Sequence, residues 1–221
     1  MSPRPRTIAD ADILIAASRV ISQVGPTRLT LADVGRASGL SPGALVKRFG
    51  SKRGLLLAMS RQSMESVDAC FAMVRSAHPA PLDAFVAAAL EMARYVKTPQ
   101  EVANSLAYLQ IDLSDPDFYA LMKENSKRME AGYRTLLDEA VEAAELVPCD
   151  TARLARAVGA LVTGSLLGWA IARRGTAEAW IRADLAMLLD CYRQPARPVR
   201  RAPSAVRARR VDSRVRRSRQ P

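Results

Sequence analysis

Gly39-Leu40-Ser41-Pro42-Gly43 spells G-x-S-x-G, the pattern that in serine esterases lifts a nucleophilic hydroxyl onto a sharp strand-to-helix turn. That chemistry needs a histidine base beside the serine and an acid to orient the histidine. The chain has a single histidine, His78, inside the run His78-Pro79-Ala80-Pro81, a turn between helices by composition. The residues before Ser41, "LADVGRAS", have the periodicity of a helix and not of a strand. Three cysteines, Cys70, Cys149 and Cys191, lie far apart with no C-x-x-C pair, which argues against a zinc site or a disulfide framework and fits a reducing cytoplasm. No acid–base pair, metal cluster or phosphate loop stands at diagnostic spacing. No catalytic residue, metal or cofactor is therefore expected, and a helical enzyme is kept only as a competing class.

The same residues support a different chemistry. Ser41 can cap a helix with Pro42 at its first position, where a missing N–H costs nothing. Leu45 and Phe49, four residues apart, share a face that can bury with Val34, Ala37 and Leu40 in one small core. The other face presents Pro42, Gly43, Ala44, Lys47 and Arg48. Small residues at the leading end let the backbone approach a groove edge closely, and a helix N-terminus is a natural phosphate site. Base-edge contacts are expected from Pro42, Ala44 and Lys47, with Gly43 permitting the approach. Phosphate contacts are expected from Thr30, Ser41, Arg48 and Lys52.

The elements that must position these residues are punctuated clearly. Helices are predicted over about 10–24, 31–38 and 42–49, stopped by Gly25-Pro26, Gly39 and Gly50 in turn. Ser51 caps a long fourth helix, 52 to about 77. Helices follow at about 82–97, 99–113, 116–146, 151–174 and 177–193, opened by the capping residues Thr98, Asp115, Asp150 and Thr176. The fold class is all-α: a three-helix, helix-turn-helix head (residues 1–54) on a helical bundle (55–193), about nine helices in all. "AVGALVTGSLLGWAIA", 157–172, is too short and too diluted with Gly, Thr and Ser for a membrane span of ~20 apolar residues. It is read as a buried helix, with no membrane partner.

The net charge of +11 is unevenly distributed: +6 over residues 1–60, −4 over 61–193 and +9 over 194–221. A basic head and a basic tail around a mildly acidic body imply a polyanion met at the ends. The start of the chain carries Arg4 and Arg6 but then Asp10 and Asp12 around a short apolar run, which is not the layout of a signal peptide.

With Ser41, Gly43, Leu45, Phe49, Ser51, Lys52, Leu55 and Leu56 in register, the chain resembles the DNA-binding domain of the tetracycline-repressor (TetR) family of transcriptional regulators, whose pattern is S-x-G-x-L-Y-x-H-F-x-S-K-x-x-L. Nine helices with a long fourth one extend the resemblance over residues 8–193. The chain departs from the pattern at Val46, where a phosphate-contacting tyrosine is usual, at Arg48, where histidine is common, and at Pro26, which follows Gly25 in place of an aromatic. Arg48 could replace the lost hydroxyl with a charge-assisted contact.

The resemblance implies a sequence-specific regulator, a repressor released or engaged by a small molecule, acting as a homodimer on a palindromic operator. Two copies of a short reading helix would meet half-sites about 34–36 Å apart on double-stranded DNA. A dimer face is expected on the last two helices at Ala157, Gly164, Leu167, Gly168, Trp180, Leu185, Leu188 and Leu189, small residues that permit close packing interleaved with leucines. The resemblance also implies an effector pocket among helices four to eight. Its candidate lining is Met64, Phe71, Met92, Tyr95, Tyr108, Phe118, Met122 and Met129, which favours an apolar ligand. A helical, nucleoid-associated protein that binds DNA without sequence preference is the alternative.

Residues 194–221, ten Arg and one Asp with only a few valines among them, cannot repay the entropy of ordering and are expected to be disordered. They could add nonspecific DNA affinity, bind an acidic partner, or reflect an arginine-rich background composition. Deleting 194–221 decides: a shallower fall of affinity with salt assigns the tail to DNA, and an unchanged slope removes it from DNA binding.

Overall fold

The computed structural model describes residues 8–91, 93–94 and 96–193. The Arg-rich tail therefore lies outside the described residues, as do Met92 and Tyr95. Among the described residues there are nine helices: α1 Asp10–Arg28, α2 Leu31–Ser38, α3 Pro42–Phe49, α4 Lys52–Ala77, α5 Pro81–Glu91, α6 Pro99–Ser114, α7 Pro116–Glu142, α8 Thr151–Ala172 and α9 Ala177–Asp190. The extended pairing among them is a single isolated antiparallel bridge, Leu146 with Arg193.

Capping decides where most of these helices begin. Thr30, Ser41, Ser51, Thr98, Asp115, Asp150 and Thr176 each accept a backbone N–H from the first turn of the helix they open. Each cap removes an otherwise orphaned donor. Thr98 and Glu101 form the expected reciprocal capping box, and Thr30 forms a second one with Asp33. The C-terminal ends agree less well with the sequence reading. α5 stops at Glu91, α7 at Glu142 and α9 at Asp190, each a few residues early, although Ala93 and Leu146 beyond the first two ends are still buried in the core. α8 ends on Arg173 in the left-handed conformation (φ 53°), two residues before Gly175.

Two apolar cores result. The body core joins α4, α5, α7, α8 and α9 through Val74, Phe85, Leu137, Leu154, Val158, Ile181, Leu185 and Leu189. Trp180 packs partly buried against it. The head core holds Ile13, Leu14, Ala17, Ile21, Leu29, Val34 and Leu45, and it also takes in Leu55 and Leu56 of α4 and Phe118 of α7. Ala37, expected in this core, faces solvent, while Gly35 is buried instead. A Cβ on Gly35 would lie 2.5 Å from the Leu40 carbonyl oxygen. Only glycine lets the turn between α2 and α3 close this tightly.

α8 presents a mixed picture. By length and composition it is long and apolar enough to cross a membrane, yet a third of its most apolar stretch is buried inside the protein. Thr151, Leu154, Ala155, Val158, Val162, Ser165 and Trp169 face inward at helical spacing. Ala157, Gly159, Ala160 and Gly164 face outward, as do Leu167 at 42% and Ile171 at 76% exposure. The expectation of a buried helix holds along one side only.

The first helix is broken where the sequence marks it. Gly25 adopts φ 78°, ψ 162°, and a last turn restarts at Pro26. The carbonyls left open by this break are met from α6: Asn104 Nδ2 donates to Ser22 O at 2.7 Å and to Gln23 O at 3.0 Å. Gln100 in turn donates to Asn104 Oδ1 at 3.2 Å. A Cβ on residue 25 would stand 2.8 Å from Asn104 Oδ1, so the glycine serves both the conformation and the clamp. Asn104→Ala leaves two half-buried carbonyls without their donor and is expected to cost about 1–3 kcal/mol. The thermal midpoint followed by circular dichroism should then fall by roughly 3–10 °C.

Candidate nucleic-acid interface

α3 is fastened from beneath and open above. Leu45 is 0% exposed and anchors the helix in the head core, a contribution of about 1.5–3 kcal/mol for burial of a leucine side chain. Ser41, Pro42, Gly43, Val46, Lys47 and Arg48 are exposed, and Ala44 is half-buried. At Gly43 a Cβ would meet nothing nearer than Ser41 Oγ at 3.9 Å, so the leading edge of the helix is sterically open. Ser41 Oγ accepts the Ala44 N–H at 3.2 Å and the Ser41 carbonyl accepts from Ala44 and Leu45. With Pro42 carrying no N–H, the donor left at the leading edge is that of Gly43. The phosphate site expected at this N-terminus is thus a single N–H and not a cluster.

The cations beside α3 are differently committed. Lys47 has neither hydrogen bond nor ion pair among the described residues and projects into solvent. Arg48 is held back: its Nη1 donates to the Ile8 carbonyl at 2.6 Å and pairs with Asp10 at 3.1 Å. Lys52 Nζ donates to the Thr27 carbonyl at 3.1 Å. The Thr30 hydroxyl donates to Asp33 at 2.6 Å, and this bond, with help from Arg36, holds the Asp33 carboxyl below its ordinary range. Any phosphate contact by Thr30, Arg48 or Lys52 exchanges an existing partner. Val46, where the resemblance places a tyrosine, is 46% exposed on the same open surface.

Two joints that sequence reasoning missed hold this head to the body. Arg53, second residue of α4, donates to both carboxylate oxygens of Asp115 at 2.8 Å and to Asp117 at 2.8 Å. Its guanidinium lies 5.6 Å from the Phe118 ring centroid. The Asn104 clamp on α1 is the second. A lone Arg or Asn carries no spacing signal, so neither joint could be read from the chain.

Phe118 and Tyr108, expected to line an effector pocket, belong to the same junction. Phe118 is 1% exposed within the head core. Tyr108 bonds Ser60 Oγ at 2.9 Å, donates to the Leu56 carbonyl at 3.1 Å, and meets Phe118 edge-on at 6.3 Å. Phe71 stacks edge-on against Tyr133 at 5.3 Å and lies over Gly132 so closely that a Cβ there would clash with its ring. Met129 packs on the body core, and Met64 and Met122 are half-buried. Phe71 and Met129 thus lie with the body core and Tyr108 and Phe118 with the head core; Met92 and Tyr95 lie outside the described residues. On the last two helices, where a dimer face was expected, Ala157, Gly164 and Leu167 are exposed. Gly168, Trp180 and Leu188 are partly covered, Trp180 lying 3.2 Å from a Cβ placed on Gly168. Leu185 and Leu189, at 1% and 0% exposure, are buried in the body core instead.

The comparisons with known proteins follow this geometry. The family model for bacterial regulatory proteins of the tetR family matches residues 13–59, the head itself. The HTH-type transcriptional regulator BetI of Burkholderia thailandensis is 30% identical over 171 residues, 76% of this chain and 84% of that protein. The chain belongs to the TetR family of transcriptional regulators. BetI of Agrobacterium fabrum is 29% identical over 152 residues, covering 67% of this chain and 70% of that one. Among solved structures, Escherichia coli NemR in its reduced form superposes with a TM-score of 0.67 at 17% identity, covering 85% of this chain and 98% of that one. A transcriptional regulator from Saccharomonospora viridis, in complex with choline, gives 0.69 at 17% identity over 84% and 98%. FadR from Bacillus subtilis, in complex with stearoyl-CoA, gives 0.61 at 14% identity over 81% and 97%. As a TetR-family regulator the chain is a DNA-binding helix-turn-helix protein.

One carboxylate near the joint carries an electrostatic cost. Burial pushes Asp112, in the last turn of α6, up to about 6. The negative end of the helix dipole is also unfavourable to charge there. A carboxyl raised in the folded state adds full stability below its unfolded value near 3.8, and that contribution is lost as pH rises through about 6. Asp112→Asn is therefore expected to raise the thermal midpoint at about pH 8 by roughly 2–6 °C, a gain that vanishes near pH 4, read by melting at the two pH values.

Proposed function

We propose that this regulator is a ligand-responsive repressor that acts in the cytoplasm as a homodimer on a palindromic operator, with α3 lying in the major groove. The observation that carries this reading is the open, small-residue leading edge of α3, with Lys47 unpaired beside it, on a head whose core is continuous with the body. Pro42, Ala44 and Lys47 meet base edges, Gly43 allows the approach, and Thr30, Ser41, Arg48 and Lys52 serve the phosphates. The uncovered face of α8, Ala157, Gly159, Ala160, Gly164, Leu167 and Ile171, supports pairing with a second copy, since small side chains allow two helices to approach closely and the flanking leucine and isoleucine supply apolar area. A dimer fixes two heads at one separation, which turns two short readings into one specific site.

The effector is taken to be a small apolar molecule received by the body. Half-buried Met64 and Met122, with Met129 on the core, support an adaptable apolar lining. The choline and stearoyl-CoA held by two structural neighbours differ so widely in chemistry that the shared fold does not choose between them. A nucleoid-associated protein without sequence preference is the competing reading, and excess random duplex separates the two.

Selection of the purified chain on a random-sequence duplex library is expected to return two inverted half-sites spaced by about 10–10.5 base pairs or a multiple of that. On the selected duplex, Lys47→Glu or Lys52→Glu should weaken binding by about 1–3 kcal/mol each and make its salt dependence shallower. Affinity unchanged in a gel-shift titration removes that residue from the interface. A selection that returns no common sequence favours the nonspecific reading.

A further inference from the structure

We propose that Val46 is a specificity-determining residue of this protein: its methyl groups recognise the C5-methyl group of a thymine in the major groove. The inference deepens the reading of α3 as the major-groove helix and rests on it.

Val46 stands where α3 has no internal use for it. It is 46% exposed, and it takes no part in the head core, which α3 enters through Leu45 and Phe49. Among the described residues of the head, the other large apolar side chain left so exposed is Ile15, which lies on α1. The Val46 carbonyl already accepts the Gly50 N–H at 2.8 Å. A β-branched residue is a poorer helix former than alanine, so the valine does not serve the helix either. What remains is the side chain itself, directed outward.

Helical geometry decides what accompanies it. At about 3.6 residues per turn, and with Leu45 buried, Gly43 and Lys47 point away from the head. Ala44 and Arg48 occupy one shoulder of the helix and Val46 the other. Pro42, four residues before Val46, is its neighbour along that shoulder and is also exposed. Gly43, three residues before, carries no side chain, and a Cβ there would meet nothing nearer than Ser41 Oγ at 3.9 Å. Gly43 therefore does not hold the valine methyls off a surface that α3 approaches. The cations of α3 lie elsewhere: Lys47 over the middle, and Arg48 on the far shoulder, tied to Ile8 and Asp10.

The chemistry of the groove narrows the partner to one group. Base edges in the major groove present donors and acceptors, apart from the C5-methyl of thymine. A valine side chain has neither donor nor acceptor. Against any other base it leaves polar groups without a partner, whereas against the thymine methyl it removes two apolar surfaces from water. Lys47, the next residue, supplies the donor for an acceptor such as guanine O6 or N7. The two side chains thus read different chemistry on nearby base pairs.

The test uses the full chain and the duplex it selects from a random library. Each thymine of the half-site is replaced in turn by uracil, which keeps every hydrogen-bonding group and loses only the methyl. Affinity is measured for the parent and for Val46→Ala, an exposed substitution that favours the helix. The parent is expected to lose about three- to tenfold at one thymine. Val46→Ala should bind the thymine and uracil duplexes alike, close to the parent's affinity for the uracil one. At the same position, 5-methylcytosine should recover part of the affinity that the parent loses to cytosine, and none for the variant. A parent indifferent to uracil at every thymine overturns the proposal. So does a variant that keeps the parent's full preference for thymine, because the methyl then acts through another residue or through the shape of the duplex. A selection that returns no common sequence overturns it together with the specific reading. Lys47→Glu, run in parallel, separates the two readings. If it binds like the parent and uracil has no effect, the assignment of α3 fails; if it is weakened and uracil has no effect, α3 stands and the role of Val46 falls.

Discussion

The constraint on which this molecule depends is that its DNA-binding head does not own its core. Leu55 and Leu56 come from α4, and Phe118 comes from the first turn of α7, so the apolar interior that holds Leu45 and therefore α3 is completed by the body. Cores are packed densely and transmit displacement because little void exists to absorb it. The angle of α3 is accordingly set by how α4, α6 and α7 sit together. A head on a loose linker would lack this continuity.

Polar contacts refine the same joint. Arg53 spans from α4 to Asp115 and Asp117 at the α6–α7 corner, and Asn104 closes the break in α1 from α6. Exposed ion pairs are individually worth little, yet a guanidinium bonded to two carboxylates with an aromatic ring nearby has definite geometry and resists sliding. These contacts give direction to a joint whose apolar packing alone would tolerate small rotations. α6 touches the head at both places, which makes it the element through which a change in the body would first be felt at α1.

The surface of the head shows how charge is kept available at moderate cost. Arg48, Lys52 and the Thr30 hydroxyl each satisfy an internal acceptor in the absence of DNA. Lys47, by contrast, has no such partner among the described residues.

Much of this was legible in the chain because its signals are local. A serine or threonine before a helix, a proline at the first helical position and a glycine after the last turn act over three or four residues, and they placed nearly every helix start, the turn at Gly39 and the open face of α3. The periodicity that buries Leu45 and Val34 is equally local. The choice between two apolar faces of one helix is not. Leu185 and Leu189 turn into the protomer while Ile171 and Leu167 turn out, and Phe118 fills the head where an effector lining was expected. Ala37 turns out and Gly35 in for the same reason, since which side of a short helix meets its neighbour depends on a turn so tight that a Cβ on Gly35 would lie 2.5 Å from the Leu40 carbonyl oxygen. Helix starts, charge layout and the open edge of α3 were determined by the sequence alone, through interactions a few bonds long. The shared core, the clamps from Arg53 and Asn104 and the pinning of Ile8 by Arg48 join residues 40 to 82 positions apart, and only the packed tertiary structure could decide them.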